Sequence, residues 1–318
     1  MMSSSATLAD TAPQNRIMQG LGLMILAMLV APCIDIFSKL ATADASPTMI
    51  TAGRFLFQGV FMLPIVISKG LWRDFSWRLS GYHAIRAAII TVSMICFVAT
   101  LAVMQVADAV AIFFVEPIIL TVLASIFLKE AVGWRRYTAC AIGFLGAIIV
   151  IRPSFEEVGF IALLPIVTAF CVAIFALMTR ALSQREDPWS MQFQMSVWGL
   201  PICGALLAFG ALNDIDFLAP SVPDGLTFTW LAAVGFAAAL SGILAVYAYR
   251  VAPASILAPM QYLEIVSATL LGWLVFGDFP DAVKWLGISI IIGSGLFIVW
   301  RERRFSSRPV SDSKPVAP

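Results

Sequence analysis

Charge is scarce in this chain. Of its 318 residues only 12% are Asp, Glu, Lys or Arg, against about 25% in a typical soluble domain. No long basic run is present to track phosphates, which argues against nucleic acid as a partner. The single histidine, His83, cannot build a multi-histidine metal site or a catalytic triad. Cys33, Cys96, Cys140, Cys171 and Cys203 are dispersed through apolar runs, with no C-x-x-C pair and no disulfide framework. No Gly-Lys dipeptide occurs, so there is no Walker A loop to bind ATP phosphates. H-E-x-x-H is missing too, and Gly277–Asp278 lacks the further Gly of an intramembrane aspartyl protease motif. No repeated pore signature suggests a selectivity filter. These absences argue against an enzyme, an ATP-driven pump and a channel, and no cofactor is expected.

What is abundant is apolar surface. The chain is 60% hydrophobic with mean hydropathy +0.93, the composition of a polytopic membrane protein. A helix needs about 20 apolar residues to cross the hydrocarbon layer. Ten such runs are found, at 17–38, 48–68, 83–104, 107–127, 133–151, 158–179, 190–210, 226–248, 253–275 and 281–300. Without water in the bilayer core, each segment must satisfy its own backbone, so an all-α membrane bundle of ten transmembrane helices is expected. Residues 1–16 read as a short disordered cytoplasmic tail. Ile17 onward reads as a retained helix, because no cleavage site follows it.

With the N-terminus placed inside, sixteen of the 20 Lys and Arg fall on the inner side and four (Lys39, Arg54, Arg152 and Lys284) on the outer. That asymmetry predicts a multi-pass inner-membrane protein with both termini cytoplasmic, ending in a basic tail at 301–318.

The chain also repeats itself. "FVEPIILTVLASIFLKEAV" at 114–132 and "YLEIVSATLLGWLVFGDFP" at 262–280 share an aromatic-x-Glu start and an acid 14 positions after the Glu. Glu116 thus matches Glu264, and Glu130 matches Asp278. The expected topology puts the two acids that close these segments on opposite sides. The reading is two inverted five-helix repeats, 17–151 and 158–300, an architecture whose substrate site lies near the midplane between the halves.

With these segments, the chain resembles the drug/metabolite transporter superfamily, EamA-like branch. The resembling stretches are "RFLF" at 54–57, "VEPIILTVLASIFLKE" at 115–130 and "APMQYLEIVSATLLGWLVFGD" at 258–278. Two departures stand out: Ile265 follows Glu264 where the first repeat has Pro117, and Asp278 stands where a Glu is usual. The resemblance implies a secondary carrier for small organic metabolites. "CIDIFSK" at 33–39 with "APMQYLE" at 258–264 is most similar to S-adenosylmethionine uptake carriers of that branch, with riboflavin carriers next. Amino-acid or drug export within the superfamily, and a carrier or flippase for a lipid-linked precursor, are the alternatives.

A charge at mid-membrane costs about 2.5–3.5 kcal/mol on insertion scales, so it must face protein or water. Asp35, Arg54, Glu116 and Glu264 stand inside the expected spans. Glu116 and Glu264 are repeat partners, with Pro117 and Pro259 nearby to break the backbone. Each reads as a substrate or proton site, with a neutral hydrogen-bonded carboxyl as the structural alternative. Asp35 can pair with Lys39 four residues on, with Arg54, or with substrate; an Asp35–Arg54 pair lining an outer cavity is the expectation. Three deep acids against one deep base favour a cationic or zwitterionic substrate, or coupling to protons, over a phosphorylated substrate. Gln261 lies one turn before Glu264, and Phe114 and Tyr262 add deep rings for a flat or cationic ligand, packing being the simpler role for any one ring. The candidate substrate-binding set is Asp35, Arg54, Phe114, Glu116, Gln261, Tyr262 and Glu264. Small residues at Ala139, Gly143 and Ala147, and at Ser289 and Gly293, mark close helix crossings, which a homodimer or packing within one chain would use equally well.

Overall fold

The structure, a computed structural model, describes residues 5–71, 77–104, 106–113, 115–129, 133–151 and 159–277, with 282–283, 285–287, 289–290, 293–294 and 297. Glu130, Asp278, Phe114 and the 301–318 tail lie outside the described residues.

Every regular element among the described residues is helical. Helix α1 spans Ser5–Ala41, reaching back beyond residue 17, where the apolar run begins. It is followed by α2 (Pro47–Ser68), α3 (Trp77–Leu101), α4 (Val106–Phe113), α5 (Glu116–Phe127) and α6 (Trp134–Ile151). After a 3-10 turn at Gly159–Leu163 come α7 (Leu164–Leu182), α8 (Pro188–Leu212) and α9 (Gly225–Val251). The elements that follow are the short α10 (Ala254–Leu257), a 3-10 segment Ala258–Leu263, and α11 (Glu264–Phe276).

Seven helical stretches among the described residues are long and apolar enough to cross a membrane. The sequence suggests ten runs, and the difference has local causes. The run at 107–127 is divided into α4 and α5, each too short to span alone. Pro117 sits in the first turn of α5, where its missing N–H costs nothing but where it prevents α4 from continuing. In the run at 133–151 the apolar helix, Tyr137–Gly146, is short of a span. The run at 253–275 is irregular too, with one α turn and a 3-10 segment before α11, yet as Ala254–Phe276 it is one of the seven. The final run, 281–300, lies mostly outside the described residues.

The most extensive interface joins α1 to α9, and α3 packs along α7. Helix α2 lies against both α8 and α9, and α3 also meets α8. Helix α1 touches α11, and α5 touches α7. These contacts enclose apolar clusters: Leu21, Met24 and Ala27 of α1 with Ala248 and Ala252 at the end of α9, and Ile50 of α2 with Leu231 and Val234 of α9. Close approach depends on missing side chains. A Cβ on Gly143 of α6 would sit 2.6 Å from the Tyr262 ring. At Gly199 of α8 it would sit 2.5 Å from the Phe55 ring. Gly143, one of the small residues noted above, is therefore used within the chain.

Polar turn residues cap the helices. Ser46 accepts the Met49 amide at 3.2 Å, Asp187 the Trp189 amide at 2.9 Å, and Asp224 the Thr227 amide at 2.6 Å. The Thr227 amide holds the Asp224 carboxyl below its ordinary pKa, so this cap persists into mild acid and is lost only as pH falls through the lowered value. On the same side, Ser46 donates to the Ala219 carbonyl at 2.7 Å, Thr48 to the Phe217 carbonyl at 3.0 Å, and Thr227 to Asp44 at 3.2 Å. These bonds tie the α1–α2 turn to the α8–α9 connection.

Gly143→Val is expected to destabilise the bundle by about 1–3 kcal/mol through overpacking against Tyr262. Thermal unfolding of the detergent-purified protein measures it, and an unchanged midpoint would contradict the packing described.

Candidate functional site

A cavity of about 200 Å³ lies between α1, α2, α3, α7 and α9 and is closed on one side by the irregular segment before α11. Its polar lining consists of Asp35, Arg54, Ser93, Thr168, Ser241, Gln261 and Glu264. Its apolar lining includes the thioethers of Met24, Met28 and Met94 and the rings of Phe97, Phe113, Phe175 and Tyr249.

Four of the residues picked from sequence meet here. Asp35 comes from the C-terminal part of α1, one turn beyond Ala31, and is only 8% exposed. Arg54 projects from α2, Gln261 from the 3-10 segment, and Glu264 from the first turn of α11. Placing a carboxylate at a helix start is favourable, because the free N–H groups and the macrodipole there attract negative charge. Glu116 begins α5 in the same way.

Asp35 and Arg54 share the cavity without a direct ion pair; the charges act on each other across it. The Arg54 guanidinium instead has Nη1 3.3 Å from the Met94 sulfur, a weak acceptor, and its buried Nε has no partner. Glu264 lines the same cavity as Asp35. The buried amide oxygen of Gln261 is also without a hydrogen-bond partner. A guanidinium with an unused donor, an amide oxygen without a partner and two carboxylates therefore line one cavity of about 200 Å³.

The other candidates lie elsewhere. Glu116 is fully buried and does not line the cavity; neither carboxyl oxygen completes a hydrogen bond, although Gln261 is near enough to act on it. Tyr262 is fully buried and its hydroxyl donates to the Cys140 carbonyl of α6 at 2.8 Å, so its ring points away from the cavity. Lys39 donates to the Met104 carbonyl at 2.9 Å and lies over the Phe276 ring, at the end of α1 rather than in the cavity. Phe113, the neighbour of Phe114, lines the cavity. No group of three or more His, Cys, Asp or Glu suited to a metal ion occurs among the described residues.

A buried base was not foreseen. Arg86, counted from sequence among the inner-side charges, is fully buried on α3. Its Nη2 donates to Thr179 of α7 at 2.9 Å, and its guanidinium lies 4.8 Å over the ring of Phe175, a lining residue. Its position inside the apolar run at 83–104 was the signal that could have found it.

The family model for the EamA-like transporter family matches this chain twice, at residues 18–152 and 159–300. The chain belongs to the EamA-like transporter family. A riboflavin transporter of Rhizobium johnstonii is 31% identical over 275 residues, covering 85% of this chain and 86% of that protein. A riboflavin transporter of Vibrio cholerae is 29% identical over 264 residues, 82% of this chain and 85% of that one. An S-adenosylmethionine uptake transporter of Rickettsia felis is 24% identical over 289 residues, 91% of this chain and 95% of that protein. A solved crystal structure superposes with a TM-score of 0.71 at 17% identity, over 91% of this chain and 99% of the other, which supports the fold. The EamA-like protein described here is accordingly a secondary transporter of the drug/metabolite superfamily, a multi-pass bacterial inner-membrane protein and not an enzyme.

In a background with the five native cysteines replaced by alanine, cysteines at Ser93 and Ser241 are expected to react with a small water-soluble thiol reagent. One at Glu116 is expected to stay unreacted. Equal labelling at all three would contradict the separation of Glu116 from the cavity.

Proposed function

We propose that this EamA-like protein carries a zwitterionic or cationic organic metabolite bearing a flat ring, with S-adenosylmethionine uptake as the first reading. The observation that carries it is the cavity in which Arg54 faces Asp35 and Glu264 without direct pairing to Asp35. A carboxylate of the substrate takes the guanidinium, which can bind it through two parallel N–H donors. An ammonium or sulfonium centre lies toward Asp35 and Glu264. The thioethers and rings provide polarizable surface for a heterocycle. The Rickettsia relative, by its name, takes up S-adenosylmethionine.

Riboflavin is the second reading. The named relatives at 31% and 29% identity support it, and so do the Phe97, Phe113, Phe175 and Tyr249 rings, since a neutral flavin uses stacking and amide hydrogen bonds more than charge.

The movement is alternating access between two inverted halves, 17–151 and 158–300. Several observations support this reading. The family model matches each half once. The packing pairs exchange under the repeat: α1–α9 with α3–α7, α2–α9 with α3–α8, and α1–α11 with α5–α7. Glu116 and Glu264 both open a helix directly after an interrupted segment. Carriers of this architecture bind at the midplane between their repeats. The Lys and Arg asymmetry supports cytoplasmic termini. A proton taken up by Glu116 or Glu264 would couple the step, and Glu264, inside the cavity, would then exchange its proton against a cationic substrate.

Reconstituted vesicles given labelled S-adenosylmethionine, riboflavin, amino acids or a cationic dye on the outside, with and without a pH gradient, test this. Saturable S-adenosylmethionine uptake is expected. Glu264→Gln and Arg54→Gln should each lower it roughly tenfold or more, the cost of a lost charged hydrogen bond. Uptake of riboflavin alone, equal in wild type and Arg54→Gln, would overturn the first reading in favour of the second. Uptake indifferent to pH would remove the proton.

A further inference from the structure

A buried amide pair stands behind one wall of the cavity. Helix α9 lines the cavity with Ser241, Gly242, Ala245 and Tyr249. Gly242, Ala245 and Tyr249 fall on one helical stripe, so two positions with little or no side chain lead up to one ring. A Cβ on Gly242 would meet Nε2 of Gln192, on α8, at 2.4 Å. The Gln192 amide thus fills the place that a side chain at 242 would take. Ser93 and Met94 line the cavity as Ser241 and Gly242 do, and the offset between the two pairs is the one that separates Glu116 from Glu264. Where position 94 carries a thioether in reach of Arg54, position 242 leaves a gap with an amide behind it.

Hydrogen bonding fixes which end of that amide faces the gap. Gln58 of α2, one turn beyond Arg54, is fully buried. Its Nε2 lies 3.3 Å from the Gln192 carbonyl and 3.5 Å from Gln192 Oε1. Oε1 is therefore the accepting end of Gln192, and Nε2 is the end at Gly242. Gln192 is only 2% exposed, and among the described residues nothing accepts from its Nε2. The amide oxygen of Gln58 is without a partner too. Buried donors are nearly always satisfied, because an idle one has lost its water and gained nothing. An apolar side chain of the same length would pack here without that cost. An idle N–H at a gap in a cavity wall points to an acceptor supplied by what enters the cavity.

We propose that Gln192 determines specificity: through the gap at Gly242 its amide donates to an acceptor on the edge of the substrate's ring. The heterocycle then lies along the Gly242–Ala245–Tyr249 stripe, and the charged end lies at Arg54, Asp35 and Glu264. This rests on the reading of the substrate as a metabolite with a flat ring and deepens it, since the ring must carry a nitrogen or carbonyl acceptor. Adenine and isoalloxazine both do; a hydrocarbon ring does not. Gln58 keeps the amide nitrogen turned toward the gap.

The test is equilibrium binding to the purified full-length protein. The ligands are S-adenosylmethionine, its three analogues in which one acceptor nitrogen of the adenine ring is replaced by CH, and riboflavin. Wild type is compared with Gln192→Met, which keeps the length of the side chain without its N–H, and with Gly242→Ala, whose methyl group displaces the amide. Each variant is expected to weaken S-adenosylmethionine roughly fivefold, the worth of one hydrogen bond. One analogue should show the same loss in wild type and no further loss in Gln192→Met. Should Gln192→Met fail to fold, Gly242→Ala with the same ligands decides. Arg54→Gln, run beside them, separates this inference from the reading it rests on. A loss in Arg54→Gln with none in Gln192→Met and Gly242→Ala overturns the role of Gln192 and leaves the charged end standing. If riboflavin binds and S-adenosylmethionine does not, the first substrate reading falls; a fivefold loss of riboflavin in Gln192→Met then upholds the donor, and no loss overturns it. Equal losses for S-adenosylmethionine and all three analogues in Gln192→Met would make Gln192 a packing residue and overturn the proposal, as would binding of neither ligand to folded wild type.

Discussion

The hydrocarbon core offers no water to an ionised side chain, and the placement of every deep charge in this protein follows from that. Each must find protein or a cavity, or it costs several kcal/mol. Asp35, Arg54 and Glu264 come from three different helices yet open into one space. Arg86 solves the same problem differently, through His83, Thr179 and the face of Phe175. The bundle is organised around two polar layers, one open to a ligand and one closed on itself, and apolar clusters on either side hold the helices that supply them.

Interrupted helices make the first layer. A continuous helix through 253–276 would spend its backbone on itself and offer only side chains. The 3-10 segment at Ala258–Leu263 turns Gln261 toward the cavity, while Tyr262 next to it is anchored on α6. The restart of α11 then sets Glu264 on a helix start, where its charge is best tolerated. Glu116 occupies the matching place in α5 but is fully buried and does not line the cavity. Equivalent positions in a repeated sequence thus serve two environments, one facing a ligand space and one sealed in protein.

Much of the cavity was legible in the sequence because a charge inside an apolar run is conspicuous: Asp35, Arg54 and Glu264 announce themselves, and Gln261 follows from its turn with Glu264. The all-helical membrane class followed from the same apolar runs. What sequence cannot carry is direction in space. Tyr262 stands two residues before Glu264, and only the approach of Gly143 decides that its ring packs into α6. The His83 cluster was hidden for a related reason. Its partners Thr179 and Glu186 lie in the other half of the chain, and Arg86 near a helix start reads as a loop charge until α3 and α7 are packed together. Arg86 also changes the balance of deep charge from three acids and one base to three and two, although its own layer absorbs it.

The central claim is that Arg54 reads a carboxylate within a cavity whose acids read the cationic end. Equilibrium binding to the purified protein of S-adenosylmethionine and of its analogue lacking the carboxylate tests it most directly, in wild type and in Arg54→Gln. The account predicts that wild type prefers the carboxylate-bearing ligand by roughly tenfold or more, the strength of a charge-assisted hydrogen bond. Arg54→Gln should abolish that preference and leave binding of the analogue nearly unchanged. If Arg54→Gln weakened both ligands equally, Arg54 would be a structural charge, and the assignment of a zwitterionic substrate to this cavity would fall.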